Sequence, residues 1–211
     1  MTIKVLHADD HAMMRDGLKA LLEAEQDMRV VGSVSTGRAA VREASTLQPD
    51  VIIMDITMPD MNGIEAVAKL KLANPDVRVI MLSMHSGAEH VHRAMSAGAA
   101  GYLLKESAGE DIVAAVRSAH VGRRFMSRGI ALPQQLRAEG GASPLDSLSP
   151  RERQVLQLVA EGHSSAAIAA RIQLSPKSVD TYRSRVMRKI GVADVTGLVK
   201  FAVRHGLTPA E

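Results

Sequence analysis

The sequence contains no cysteine and no tryptophan, and aromatic residues make up only 2% of its 211 positions. Without cysteine there is no disulfide framework, no thiolate metal site and no cysteine nucleophile, which fits a reducing cytoplasm. Phe125, Phe201, Tyr102 and Tyr182 are the only aromatics, so the core has to come from Leu, Ile, Val, Ala and the 12 Met residues. Methionine fills irregular gaps, and a Met-rich core is expected rather than a Met-rich surface. Long apolar runs are missing as well. No stretch approaches the ~20 residues needed to span a bilayer, and the segment from Met1 to Asp10 lacks the apolar run of a signal peptide. The expectation is a cytoplasmic protein without a membrane partner.

What is present divides unevenly. The net charge is +3, but residues 1–121 carry 12 Lys+Arg against 16 Asp+Glu, whereas residues 148–211 carry 10 against 5. An acidic front and a basic back imply different partners, with a polyanion as one candidate for the back. The texture divides at the same places. Short Val- and Ile-rich runs recur at Ile3–Leu6, Val30–Val34, Val51–Met54, Val77–Leu82 and Gly101–Leu104. Between and after them, segments with apolar residues three and four apart read as helices: Gly17–Glu25, Arg38–Leu47, Ile64–Leu72, Glu89–Ala97 and Glu110–His120. Nearly continuous apolar strands alternating with helices predict an α/β fold, a doubly wound five-stranded parallel sheet. Ser107-Ala108-Gly109-Glu110 predicts a capping box for the fifth helix.

Residues 122–147 turn to Gly, Ser, Pro and Arg and read as a linker, with room for a short helix within Arg128–Arg137. A second domain, 148–211, opens on Ser149-Pro150-Arg151-Glu152, an N-cap Ser followed by Pro and a Glu at the third position. Ser164 or Ser165, Ser175 ahead of Pro176, and Asp194 offer three further helix starts. Four short helices in about 60 residues make a small all-α module.

In an open α/β sheet, ligands bind beyond the carboxyl ends of the strands. That rule gathers Asp9 and Asp10 after the first strand, Asp55 after the third, Ser83 after the fourth and Lys105 after the fifth. Three converging carboxylates repel unless a cation neutralises them. Oxygen donors at a mouth open to water suit Mg²⁺. Lys105 adds a fixed positive charge and Ser83 a hydroxyl, a set suited to a phosphoryl group arriving on a carboxylate. Taken singly, each Asp could be a turn former; five residues ending four strands together are harder to assign to chance. His85, His90 and His92 also cluster, although a loop and helix surface explains them as well as a metal would.

The segments Asp9-Asp10-His11, Met54-Asp55-Ile56-Thr57-Met58-Pro59-Asp60-Met61-Asn62-Gly63, Leu82-Ser83 and Gly98-Ala99-Ala100-Gly101-Tyr102-Leu103-Leu104-Lys105 resemble the flavodoxin-like receiver domain of two-component response regulators. The resemblance implies that Asp55 is the phosphoacceptor, served by a sensor histidine kinase. It implies Mg²⁺ held by Asp10, Asp55 and the Thr57 carbonyl, with Asp9 reaching it through water. Ser83 and Tyr102 would form the switch pair, and Lys105 would bridge to the phosphate.

Leu148-Ser149-Pro150-Arg151-Glu152-Arg153-Gln154-Val155-Leu156, Leu174-Ser175-Pro176-Lys177-Ser178-Val179 and Lys189-Ile190-Gly191-Val192 resemble the LuxR-type helix-turn-helix of the NarL/FixJ subfamily. That implies double-stranded DNA as a partner, read by a homodimer formed on phosphorylation, with contacts through helix 194–205 and a receiver helix face. Helix Pro176–Ile190 has Val179, Tyr182, Val186 and Ile190 on one stripe and Lys177, Asp180, Thr181, Arg183, Ser184, Arg185, Arg188 and Lys189 on the other. Such a face fits a major groove, with Asp180, Thr181, Ser184 and Arg185 placed for base edges and the basic residues for phosphates. Ala166, Ala167 and Asp180 depart from the residues common in the family, so no operator sequence carries over.

The resemblance also implies that the unphosphorylated receiver masks the DNA-binding module. Two rivals stay open: a DNA-binding regulator whose receiver only dimerises, and an aspartate-nucleophile phosphotransferase. The complete acidic set stands against the first. The helix-turn-helix and the lack of a separate substrate domain stand against the second, so no enzyme is expected.

Overall fold

Successive side chains on a strand point to opposite faces, and strand Val51–Asp55 is buried along its whole length. A strand like that needs cover on both sides. In the computed structural model it receives it: the chain folds into two compact units, Met1–Leu136 and Arg137–Glu211. The structure describes residues 2–107, 109–128, 130 and 144–208.

The first unit contains β1 (Ile3–Ala8), β2 (Met28–Val34), β3 (Val51–Asp55), β4 (Arg78–Ser83), β5 (Gly101–Leu104) and β6 (Phe125–Met126). They pair in parallel in the order β2-β1-β3-β4-β5-β6. Helices α1 (Ala12–Glu23), α2 (Gly37–Leu47), α3 (Gly63–Ala73), α4 (Ala88–Ser96) and α5 (Gly109–His120) connect them. On one face Leu6, Ile52, Met54, Val79, Met81 and Tyr102 pack with Ala40 of α2, Val67 and Leu70 of α3, and Val91 and Ala94 of α4. On the other, Val5, Ile53, Ile80, Leu82 and Leu103 pack with Leu18 and Leu22 of α1 and Ile112, Val113 and Val116 of α5. The methionines are mainly core as expected: Met28, Met54, Met58, Met61 and Met81 are buried, while Met13 and Met84 are exposed.

Four expectations need correction or fall outside view. The sheet has six strands rather than five, because Phe125–Met126 pairs with Gly101 and Tyr102 at the edge. Two residues inside a Gly- and Arg-rich stretch carry no periodic signal, so this strand reads as linker in the sequence. Helix α1 begins at Ala12 rather than Gly17; no side chain caps it at His11, so the usual start signal is missing. The α5 capping box involves Ala108, and the helix expected within Arg128–Arg137 falls mostly on residues outside those described.

In the second unit a 3-10 turn, Pro144–Ser147, precedes α6 (Pro150–Ala160), α7 (Ser165–Ile172), α8 (Pro176–Ile190) and α9 (Val195–Arg204). Ser149 and Glu152 form the full capping box. Ser164, rather than Ser165, caps α7, while Ser175 caps α8 and Asp194 caps α9. Leu148, Val155, Leu156, Ile168, Ile172, Val179, Val186 and Leu198 make the core. Tyr182 and Ile190 lie only partly buried against it. Among the described residues no helix is long and apolar enough to cross a membrane.

The burial pattern sets an unequal cost for equal chemistry. Ile53 is fully buried in β3, whereas Leu72 on α3 is 87% exposed. Ile53→Ala is expected to cost the first unit about 2–5 kcal/mol in urea unfolding, and Leu72→Ala less than about 0.5 kcal/mol. Comparable losses at the two positions would contradict this core.

Candidate functional site

The strand order reverses at β1: β2 lies on one side of it and β3 through β6 on the other. The carboxyl ends of β1 and β3 therefore flank a crevice that no crossover helix fills. Asp9 and Asp10 follow β1 there, and Asp55 is the last residue of β3. Asp9 and Asp55 are buried, at 0% and 2% exposure.

Between them sits Lys105, just past β5. Its Nζ lies 2.7 Å from Asp55 Oδ2 and 2.9 Å from Asp9 Oδ2. The Lys105 amide also donates to the Ser83 carbonyl, 2.8 Å away, which fixes the root of its side chain. The Thr57 amide donates to Asp55 Oδ1 at 3.3 Å. Around Asp9, the His11 amide donates to Oδ1 at 2.9 Å and Arg15 Nη1 donates to the carbonyl at 2.7 Å. The His11 ring completes the rim, its Nδ1 2.7 Å from Asp10 Oδ1.

Gly63 makes this approach possible. It opens α3, and a Cβ there would stand 2.0 Å from the Asp55 carbonyl oxygen. The helix can approach the end of β3 only where that carbon is missing.

Burial pushes the Asp55 carboxyl up to about 6, against the pull of Lys105. Burial works to lower Lys105, but the Asp55 and Asp9 carboxylates outweigh it and leave the ammonium more firmly protonated than usual. Tyr102, buried in the sheet, is pushed up to about 12 and stays a phenol. Its hydroxyl donates to the His85 carbonyl at 2.7 Å, and the His85 amide donates to Ser83 Oγ at 3.0 Å. The expected switch pair thus meets through His85.

The donor atoms of Asp9, Asp10, His11 and Asp55 all lie within 4.8 Å of one another. Three carboxylates against one lysine leave a residual negative charge, so the residues fit a divalent cation. His85 and His90 instead stack ring on ring at 4.7 Å.

On α8, Lys177, Asp180, Thr181, Ser184, Arg185 and Arg188 are exposed. The Arg185 guanidinium lies 5.9 Å above the Tyr182 ring. Several of the expected contact residues have internal partners, and three of them reach other elements. Lys189 Nζ donates to Glu152 Oε2 at 2.7 Å and to the Ser147 carbonyl at 3.0 Å. Arg183 Nη1 donates to Ser165 Oγ at 3.0 Å, and that hydroxyl donates to Asp180 Oδ1 at 2.7 Å. No local sequence pattern marks the Ser165 and Glu152 links. His11 and Gly63 stand in plain view beside the acidic residues, yet spacing alone assigned them no role.

A receiver family model, "Response regulator receiver domain", matches residues 5–117, and "Bacterial regulatory proteins, luxR family" matches residues 146–202. The chain belongs to the response regulators of two-component systems, with a receiver followed by a LuxR-type DNA-binding domain. It is 38% identical to the response regulator UvrY of Escherichia coli strain K12, over 99% of this chain and 97% of that one. It is 37% identical to the response regulator GacA of Pseudomonas aeruginosa, over 99% of each. A solved structure of two RcsB dimers bound to two parallel DNAs covers 95% of this chain and 98% of its own, at 26% identity and a TM-score of 0.58.

Asp55 yields a sign-definite pH test. A carboxyl raised to about 6 from 3.8 opposes folding while ionised, so its own contribution relaxes as pH falls through that window. In chelator-treated protein, ¹³C spectra are expected to show one carboxyl titrating near pH 6 that is missing in Asp55→Asn. A midpoint at or below 4 for Asp55 would contradict the buried arrangement.

Proposed function

We propose that this response regulator accepts a phosphoryl group on Asp55 from a sensor histidine kinase and thereby controls how α8 engages DNA. The observation that carries the reading is Lys105 held between two buried carboxylates, Asp9 and Asp55. Such a lysine is poised to stay charged when an anionic group arrives. In the transfer, a carboxylate oxygen of Asp55 attacks phosphorus as the bond to the donor's imidazole nitrogen, or to acetate in acetyl phosphate, breaks. The product is an acyl phosphate on the chain itself, so the protein is a stoichiometric acceptor.

Asp10, Asp55 and the Thr57 carbonyl would hold Mg²⁺, with Asp9 reaching it through water. The ion would neutralise charge on the transferring oxygens. Lys105 then pairs with the phosphoryl group at some expense to its contact with Asp55. Ser83 Oγ, now accepting from the His85 amide, is the hydroxyl available to turn toward it, and Tyr102 is tied to the same residue.

For DNA, α8 is proposed to enter the major groove. Lys177, Arg185 and Arg188 would serve phosphates or guanine edges, and Asp180, Thr181 and Ser184 the neighbouring bases. Arg183 and Lys189 can join only by giving up Ser165 and Glu152. A homodimer on DNA is proposed because modules of this kind read two half-sites, with α9 as a contact. Coupling between pocket and helix runs through an equilibrium between domain arrangements.

Two measurements test this reading. Intact-mass spectrometry after incubation with acetyl phosphate and Mg²⁺ is expected to show a single phosphoryl adduct, missing in Asp55→Asn; an equal adduct in that variant would sink the assignment. Footprinting with and without the phosphodonor then reads the consequence. Lys177→Ala or Arg188→Ala is expected to weaken DNA binding about uniformly across sequences and to reduce the salt slope by about 1. Lys189→Ala, by contrast, is expected to act mainly on stability, through the stranded Glu152.

A further inference from the structure

His11 occupies the N-cap position of α1 in an extended conformation, φ −81° and ψ 110°, yet its side chain makes no capping bond. The ring turns back over the acidic pocket instead. Its Nδ1 lies 2.7 Å from Asp10 Oδ1 and 3.2 Å from Asp9 Oδ1, and 65% of the side chain remains exposed at the mouth. Nδ1 belongs to the group of donor atoms that, with Asp9, Asp10 and Asp55, lie within 4.8 Å of one another.

Those separations are informative. Around an ion with bonds of roughly 2.0–2.2 Å, neighbouring ligand atoms sit about 3 Å apart. The 2.7 Å separation of His11 Nδ1 from Asp10 Oδ1 is close to such an edge. Asp9 and Asp55 each give one carboxylate oxygen to Lys105 and the other to a backbone amide, that of His11 and of Thr57 respectively. Asp10 and the His11 nitrogen join Asp55 and the Thr57 carbonyl, the other groups proposed to hold the cation.

Donor chemistry then selects the ion. Carboxylates and carbonyls suit hard Mg²⁺, whereas imidazole suits borderline ions such as Ni²⁺, Co²⁺, Fe²⁺ and Zn²⁺. We infer that His11 Nδ1 is an additional ligand of this pocket, giving it a mixed nitrogen–oxygen donor set that binds borderline divalent transition ions more tightly than Mg²⁺. The inference rests on the proposed role of the acidic pocket as the seat of a divalent cation. The exposed ring is free to swing by its side-chain torsions alone, so ligation costs the core nothing. It needs only the tautomer with its proton on Nε2.

The competing account is that His11 merely orients Asp10 through a hydrogen bond. A positioning partner of that kind supports every ion alike, which makes the two accounts separable. Ni²⁺ and Mg²⁺ are close in size and share octahedral preference, so comparing them isolates donor chemistry. The test is calorimetric titration of tag-free, full-length protein with Ni²⁺ and separately with Mg²⁺. It covers the unaltered chain, His11→Ala, His11→Gln and Asp55→Asn. His11→Gln keeps a hydrogen-bond donor while removing the imidazole.

The expected result is a Ni²⁺ dissociation constant at least ~tenfold below that of Mg²⁺. His11→Ala and His11→Gln should each weaken Ni²⁺ binding by at least ~tenfold while leaving Mg²⁺ binding within about threefold. Paramagnetically shifted imidazole ring signals in the Ni²⁺-loaded protein should vanish in both variants. Equal weakening of Ni²⁺ and Mg²⁺ by His11→Ala would overturn ligation in favour of positioning. Ni²⁺ binding that ignores both His11→Ala and Asp55→Asn would place the ion elsewhere and overturn it too. If Mg²⁺ still responds to Asp55→Asn in either case, the pocket keeps its proposed role and only the inference about His11 fails. Mg²⁺ binding indifferent to Asp55→Asn would instead remove the pocket reading, and the inference with it.

Discussion

A lysine ammonium between two buried carboxylates is the interaction on which the receiver pocket depends. Asp9, Asp55 and Lys105 are nearly withdrawn from water, and moving charges out of water costs several kcal/mol per ion in real proteins. The cost is tolerable only because Lys105 faces both acids at once and the His11 and Thr57 amides take up remaining oxygens. Every participant is delivered by a different strand end, from β1, β3 and β5. The pairing therefore specifies register: a one-residue slip in any of these strands would turn a charge into the apolar layer beneath. Gly63 belongs to the same constraint, because α3 reaches the Asp55 backbone only through its missing side chain.

This pairing also limits how a signal can leave the pocket. Lys105 and Ser83 are joined through the backbone, and Ser83, His85 and Tyr102 form a short chain of hydrogen bonds. Ser83 Oγ cannot turn toward an anion on Asp55 and keep its geometry with the His85 amide. Tyr102 is anchored to the carbonyl of that same residue, and the His85 ring stacks on His90 of α4. A change at Ser83 thus reaches a fully buried ring and a helix through one residue. That gives the proposed switch a discrete element to bias, rather than a continuous deformation of a packed core.

Much of this was legible in the sequence, for a reason peculiar to parallel sheets. When both faces are covered, strands read as apolar runs, and the first polar residue after each run marks the edge where ligands bind. Asp55, Ser83 and Lys105 are found that way, whereas Asp9 stands behind His7 and Ala8 after its run. Helix starts were legible where a side chain caps them, as at Ser149, Ser175 and Asp194, and missed at α1, where His11 caps nothing. The edge strand Phe125–Met126 escaped because two residues have no period. The contacts that escaped entirely bridge separate elements. Ser165 and Asp180 are 15 positions apart, Glu152 and Lys189 are 37, and no local pattern links them.

Those long-range contacts change what α8 offers to a groove. By composition the helix carries five cations and one carboxylate on its outer face. Lys189 instead closes the capping box of α6 from outside: burial tends to raise the Glu152 carboxyl, but Lys189 and Ser149 outweigh it and hold it low. Arg183 and Asp180 meet on Ser165, tying the middle of α8 to the first turn of α7. Two cations therefore tie α8 to its neighbours, and under the proposed reading Lys177, Arg185 and Arg188 are the cations left to meet phosphates or bases. Such ties reduce the ordering cost that a recognition helix would otherwise meet on binding. In the proposed groove complex Asp180 would arrive with its carboxylate held by Ser165, and the one acidic residue on the face would act as a placed acceptor. A placed acceptor beside a major groove favours a base that presents an amino donor, and penalises one that presents only acceptors.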